Sequence, residues 1–348
     1  MNTDKKVRVA INGFGRIGRS FLRLARVEYP NIDIVAINDL GNIENLAYLL
    51  RYDTAQGPSG LDVSISEDET HLYVDGHDIR ILQEKDPAQL PWGEMEIDVV
   101  VESTGFFTRY DKAQLHLDAG AKKVVISAPG KGKPVDGVNA ATVLMGVNHD
   151  QLGVCQISSN GSCTTNAGSP VVSILNDTIG VEKALLNTTH GYTSTQGIVD
   201  GPTKGSDYRK GRAAAQNIIP TSTGAAIAVT KALPELEGKF DGIACRVPVI
   251  AGSIADITFL AKRDTTVEEV NDILRKAAAE DRWEGIFAVT DEPLVSSDII
   301  GNTYASLADL AMTRVTGGNL VKVMAWYDNE MGYTNALIKH VIETSKNL

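Results

Sequence analysis

Residues 158–166, S-S-N-G-S-C-T-T-N, set a cysteine among hydroxyls, amides and glycine. A cysteine that only packs has apolar neighbours, as Cys155 (V-C-Q-I) and Cys245 (A-C-R-V-P) do. Cys163 instead precedes T-T-N-A-G-S-P-V-V-S-I-L-N, which reads as the opening of a helix. A thiol there feels the positive end of the helix dipole, which favours thiolate and lowers its pKa. Such a group attacks electrophilic carbon, and it needs a base. Of six histidines, His71, His77, His116 and His149 lie in polar segments that read as exposed, and His340 falls in a tail helix. His190, in N-T-T-H-G-Y-T-S-T-Q, shares the hydroxyl-rich setting of Cys163 and is the favoured partner.

A second chemical signal is I-N-G-F-G-R-I-G, with Gly13, Gly15 and Gly18 between a strand-like run (7–11) and a helix-spaced segment. In that context the first glycine makes a tight turn and the second lets backbone approach a pyrophosphate. The third lets helix and strand pack closely, and the helix N-terminus faces the phosphate. Asp39 ends the next strand, 21 residues after Gly18. A carboxylate there accepts from an adenosine ribose and repels a 2′-phosphate, which points to NAD rather than NADP.

Elements with the right periods surround both signals. Strands at 7–11, 32–38, 98–105 and 122–129 alternate with helical segments, and 61–83 reads as antiparallel hairpins. This βαβ series implies an α/β fold, a Rossmann-type doubly wound dinucleotide-binding domain. After Cys163 come longer strand-like runs over 183–260 and a helix at 266–280, where Thr265 and Glu268 fit a capping box. That mixture implies a second, α+β domain with a mainly antiparallel sheet. An amphipathic helix at 336–346 is expected to return to the first domain, and 200–212 reads as a loop. The expected division is 1–162 with 329–348 for the dinucleotide domain and 163–328 for the catalytic domain.

Composition narrows the classes. With a net charge of -11 over 348 residues, nucleic acid is an unsuitable main partner. No apolar run approaches a membrane helix, and the start lacks a signal-peptide core. Three cysteines form neither a disulfide framework nor a zinc cluster, so no metal is expected and a reducing cytoplasm is the simplest compartment.

S-x-x-S-C-T-T-N, H-x-Y-T-x-T-Q, S-T-G-A-A, R-V-P and W-Y-D-N-E-x-G-Y, behind I-N-G-F-G-R-I-G, resemble the phosphorylating glyceraldehyde-3-phosphate dehydrogenases in order and spacing over essentially the whole chain. The resemblance implies NAD-dependent oxidation of glyceraldehyde 3-phosphate to an acyl phosphate in glycolysis or gluconeogenesis. Cys163 would form a thiohemiacetal and then a thioester, with His190 as base. Thr193, Thr195 and Arg246 would hold the substrate phosphate. Ser162, Thr164, Thr223 and Gly224, helped by Arg212, would hold the attacking inorganic phosphate. On the cofactor side it implies Arg16 and Ile17 at the pyrophosphate, and Ser103, Thr104 and Ser127 along the dinucleotide. Lys85 joins that side, with Asn329 at the carboxamide and Tyr333 near the nicotinamide. A homotetramer is also implied.

The chain departs from the family pattern at Gly161 and Gly191 (commonly Ala, or Ala or Ser), Lys85 (Arg), Ile227 (Lys) and Met331 (Trp or Thr). The 200–212 loop is slightly longer than usual, which bears on subunit contacts. Ala167 stands where relatives carry a second cysteine, so Cys163 is expected to oxidise along the sulfenic route without a local disulfide. Rival readings are an erythrose-4-phosphate dehydrogenase, a more distant aspartate-semialdehyde dehydrogenase, and a catalytically silent dinucleotide-binding scaffold. A cysteine hydrolase would leave the three loop glycines and Asp39 without a task.

Overall fold

The computed structural model describes residues 6–203, 205–346 and 348. It divides into two compact units, one of Met1–Val143, Asn148–Gly161 and Leu337–Leu348, the other of Leu144–Val147 and Ser162–Ala336. The division therefore differs from the expected one at 144–147, at Ser162 and at 329–336, all of which group with the second unit.

In the first unit, β1 (Val7–Asn12) leads into α1 (Arg16–Glu28), followed by β2 (Ile32–Asn38) and α2 (Ile43–Arg51). The hairpin strands β3 (Val63–Ile65), β4 (His71–Val74) and β5 (His77–Leu82) come next. Then follow β6 (Val99–Glu102), α3 (Tyr110–Asp118), β7 (Lys123–Ile126), β8 (Ala140–Thr142) and β9 (Ile157–Ser159). They form one sheet in the order β3-β4-β5-β2-β1-β6-β7-β9-β8. β6 and β7 are buried at every residue, which is why their sequences are continuous apolar runs rather than alternating ones. β1 pairs in parallel with β2 on one side and β6 on the other. Strand order reverses there, so the loops leaving β1 and β6 lie side by side at the switch point where doubly wound sheets bind ligands.

The second unit begins with α4 (Cys163–Thr178), β10 (Val181–Gly191), β11 (Ile219–Ser222) and α5 (Ala225–Ala232). β12 (Phe240–Val247), β13 (Ser253–Ala261) and α6 (Val267–Ala278) follow, then β14 (Phe287–Thr290), β15 (Ser306–Thr316), β16 (Leu320–Tyr327) and the start of α7 (Met331–Ser345), whose part from Leu337 on belongs to the first unit. Its sheet runs β11-β12-β10-β13-β16-β15-β14, antiparallel except for the pairs β10 with β12 and β14 with β15. One face is packed by Val171 and Leu175 of α4, Val229 of α5 and Leu274 of α6 against Leu186, Ile257, Phe259 and Val323. The other face leaves Leu185, Ile243 and Leu320 exposed.

Several local expectations change. The cap of α6 is Thr266, one residue later than expected, accepting from the Glu269 amide; Thr265 instead bonds the Glu269 carboxylate. The 200–212 loop contains a short 3-10 turn at Tyr208–Gly211. The tail helix starts at Met331. Cys245 is half-buried rather than core, while Cys155 is buried.

Candidate active site

Cys163 is the first residue of α4, capped by Ser162, whose hydroxyl accepts from the Thr165 amide in a reciprocal capping box. The capping box fixes the turn that presents the thiol. His190 and Arg246 arrive on adjacent parallel strands in direct register. Residues paired this way share a face, and their side chains meet. Cys163 Sγ lies 3.2 Å from His190 Nε2. His190 Nδ1 is 2.6 Å from the Gly191 carbonyl; in the tautomer that donates to that carbonyl, Nε2 presents its lone pair to the thiol. Arg246 Nη1 donates to the same carbonyl at 3.1 Å and stands 2.6 Å from Nδ1, setting a fixed charge against the ring.

Burial pushes the Cys163 thiol up, with Arg246 and hydrogen bonds from Thr164 pulling back without reversing the direction. The direction is opposite to the one the helix start alone suggests, because desolvation exceeds the favourable charges around the sulfur. Burial first, and the Arg246 charge second, hold His190 down at about 3, against the pull of its bond to Gly191. Both shifts run toward the neutral forms of the pair.

Two parts of this cluster lacked a sequence assignment. Tyr327 is fully buried with its ring edge-on to His190, 5.9 Å between centroids. Its hydroxyl lies 2.9 Å from Thr164 Oγ1 and 2.7 Å from Thr188 Oγ1, and burial pushes its phenol up. It sits in the quoted W-Y-D-N-E run, next to residues that did receive roles. Gly191 is the other: a Cβ there would stand 2.9 Å from the Val249 carbonyl, which accounts for this departure from the family pattern. Gly161, with φ of 66°, occupies left-handed backbone that favours glycine.

The phosphate candidates are placed as follows. Thr193 and Thr195 hydroxyls are 2.8 Å apart, beyond the end of β10 that carries His190. Thr223 and Gly224 form the start of α5, where Thr223 Oγ1 accepts from the Ala225 amide. Thr164 is buried and turned to Tyr327, so its hydroxyl is less open than expected. Arg212 is exposed and pairs with Asp200 at 2.7 Å. Asn329 Oδ1 accepts from Ser253 Oγ at 3.1 Å, and Tyr333 is buried early in α7.

In the first unit Gly13 has φ of 96°, and a Cβ there would lie 2.5 Å from the Thr104 amide nitrogen. A Cβ on Gly18 would strike the Gly13 carbonyl, so only glycine permits α1 to pack so close. Gly15 caps α1 without a side-chain bond, and nothing lies within 4 Å of where its Cβ would stand. An open approach to a helix start without a side-chain cap fits a dinucleotide pyrophosphate. Asp39 holds the loop, accepting from the amides of Phe14 at 2.7 Å and Gly41 at 2.8 Å. Ile17 lies in the first turn of α1; the Arg16 side chain turns to Asp53 at 2.9 Å. Ser103 donates to the Gly13 carbonyl at 2.6 Å, the Ser127 amide bonds the Glu102 carbonyl, and Lys85 is exposed after β5. Among the described residues no group of three or more His, Cys, Asp or Glu is placed to hold a metal.

A glycine-rich loop at the switch point of a doubly wound sheet defines a dinucleotide-binding protein. A model of the glyceraldehyde 3-phosphate dehydrogenase NAD binding domain matches residues 7–110, and one of its C-terminal domain matches 162–329. The chain belongs to the glyceraldehyde-3-phosphate dehydrogenase family, whose cofactor is NAD. It is 48% identical to glyceraldehyde-3-phosphate dehydrogenase of Priestia megaterium over 334 residues, 95% of this chain and 96% of that one. Glyceraldehyde-3-phosphate dehydrogenase 1 of Bacillus subtilis is 47% identical and that of Streptomyces coelicolor 46%, with the same coverage.

Proposed function

We propose that the protein oxidises D-glyceraldehyde 3-phosphate and joins it to inorganic phosphate, giving 1,3-bisphosphoglycerate, with Cys163 as nucleophile and His190 as base. The observation that carries this is the 3.2 Å approach of Cys163 Sγ to a His190 Nε2 whose other nitrogen is committed to Gly191. As Sγ bonds the aldehyde carbon, its proton passes to Nε2 and on to the developing alkoxide, leaving a thiohemiacetal. The Cys163 backbone N–H and His190 steady that oxygen. NAD, when bound, supplies the hydride acceptor. His190 removes the hydroxyl proton as the carbon is oxidised to a thioester on Cys163. Inorganic phosphate attacks that carbonyl and expels the Cys163 sulfur, so the energy of oxidation is kept in the acyl phosphate.

Thr193, Thr195 and Arg246 are proposed to hold the substrate phosphate; Ser162, Thr164, Thr223, Gly224 and Arg212 serve the incoming one. Arg246 paired to a phosphate no longer opposes protonation of His190, which favours proton transfer once substrate is in place. Gly13, Gly15, Arg16, Ile17, Gly18, Asp39, Lys85, Ser103, Thr104 and Ser127 would hold NAD, with Asn329 and Tyr333 toward its nicotinamide. A glycolytic, cytoplasmic homotetramer is proposed with it. Three free cysteines and the exposed apolar face of the second sheet support that setting, and no helix among the described residues is long and apolar enough to cross a membrane.

The test is absorbance at 340 nm with glyceraldehyde 3-phosphate and NAD, with and without phosphate. Turnover only with phosphate is expected. Turnover without it would indicate a hydrolysing dehydrogenase, and preference for erythrose 4-phosphate would reassign the substrate.

A further inference from the structure

Beneath the dinucleotide loop lies a chain of buried polar groups that the reaction does not use. Asn12, Asn38, Glu102, His116 and Trp92 are each at most 5% exposed. The orientation of every member follows from groups that act only as donors. At one end the Glu84 amide donates to Asn38 Oδ1 at 2.8 Å, so Asn38 Nδ2 points at Asn12 Oδ1, 2.7 Å away. Asn12 must then turn its amide nitrogen to Glu102 Oε2, at 2.5 Å. At the other end the Trp92 indole N–H donates to His116 Nδ1 at 3.0 Å. Indole is a donor only, so His116 carries its proton on Nε2, which donates to the same Glu102 Oε2 at 3.1 Å. The amide and hydroxyl of Thr104 both donate to Oε1.

We propose that Glu102 is a positioning residue for NAD, a carboxylate pin on which four donors converge and which locks the glycine-rich loop after β1 to the turn after β6. Asn12 immediately precedes Gly13, and Thr104 is the residue against which a Gly13 Cβ would collide. The Ser103 amide also donates to the Asn12 carbonyl at 2.7 Å. Holding Asn12 and Thr104 by one carboxylate therefore holds both walls at the switch point. Four bonds match the acceptor capacity of an ionised carboxylate and need no cation. The proposal rests on the NAD assignment.

Glu102→Gln tests it by replacing one acceptor oxygen with a donor. Whichever way the amide turns, its nitrogen meets N–H groups that cannot reverse: Thr104 on one side, Asn12 and His116 on the other. Turned toward Thr104, whose hydroxyl can reverse, the amide still leaves the Thr104 N–H unmet, which corresponds to an NAD Kd raised about 10-fold, measured by direct titration of the protein. The KM for NAD should rise in step, with kcat at saturating NAD changed less than about 3-fold. Asn12→Asp alone sets two carboxylates face to face and should weaken NAD to a similar degree. Combined, Asn12→Asp and Glu102→Gln exchange donor and acceptor across the same contact. The carboxylate introduced on β1 then accepts from the amide introduced on β6, from His116 and from Asn38, and NAD affinity returns to within about 3-fold of the parent.

Unchanged NAD affinity in Glu102→Gln, or a double variant no better than the singles, overturns the pin. If the singles do not fold, the double decides: a soluble protein of near-parent affinity upholds the pin, and a failed one overturns it. A parent that binds no NAD would overturn the cofactor assignment and the pin together.

Discussion

His190 and His116 are both buried, and each has an aromatic ring edge-on, Tyr327 and Phe107 respectively. They differ in what their nitrogens face. His116 accepts from an indole and donates to a carboxylate, so both nitrogens are committed to partners fixed in polarity. His190 commits only Nδ1, and its Nε2 faces a thiol, a partner that can give up a proton and take it back. Burial alone therefore does not make a histidine catalytic; what matters is whether a nitrogen faces a group that changes protonation. One ring serves chemistry and the other serves shape.

Removing the thiol should break the comparison most severely. Cys163→Ser is expected to lower kcat by about 10³-fold or more in the phosphate-dependent 340 nm assay, because a serine hydroxyl ionises far less readily. His190→Asn should cost about 10²- to 10³-fold in kcat/KM, the range for a lost general base. His116→Asn should act on NAD affinity and leave kcat at saturating NAD within about 3-fold of the parent. Equal kcat losses in the two histidine variants would erase the distinction.

A smaller effect lies in stability. His190 and His340 are each depressed to about 3 from 6.5 by burial, and for both the unfolded chain binds the proton more readily. Their stabilisation is therefore fully present above about pH 6.5 and lost as pH falls toward 3, by about 1.4 kcal/mol per pH unit for each histidine. His340→Gln should flatten the fall in denaturant midpoint between pH 6.5 and 4; an unchanged slope would contradict it. The smallest effect concerns oxidation. Mild peroxide should convert Cys163 to sulfenic acid, trapped by dimedone, and peptide mapping should find no intramolecular disulfide to Cys163. Ala167, buried against the Cys163 cluster, offers no sulfur to close one.

The glycine-rich loop, the helix start at Cys163 and the His190 pairing were legible because their signals are local or share one composition. The pin was not. Glu102 ends V-V-V-E and reads as the polar edge of a strand, yet it is 1% exposed. His116 reads as polar in Y-D-K-A-Q-L-H-L-D, although Tyr110, Ala113 and His116 recur every third residue and form the buried stripe of α3. That spacing was the available signal. Strands β14 to β16 also went unassigned, and the register of β15 shifts between Asp309 and Arg314, which breaks its alternation. The direction of the Cys163 shift was not legible, because sequence shows the helix start but not the desolvation around the sulfur.

The division of the chain has a consequence for how the protein is made. His340 bonds Ser158 at 2.7 Å and Asn160 at 3.1 Å, closing a contact across 182 and 180 residues within the first unit. On the ribosome, Leu337–Leu348 emerge only after all of Ser162–Ala336 has been synthesised. The second unit can thus finish folding while the first still lacks its last segment, although the first begins earlier. A released chain truncated just before Leu337 should hold every strand of the second unit and a first unit without the His340 contacts, a state in which a chaperone has something to protect.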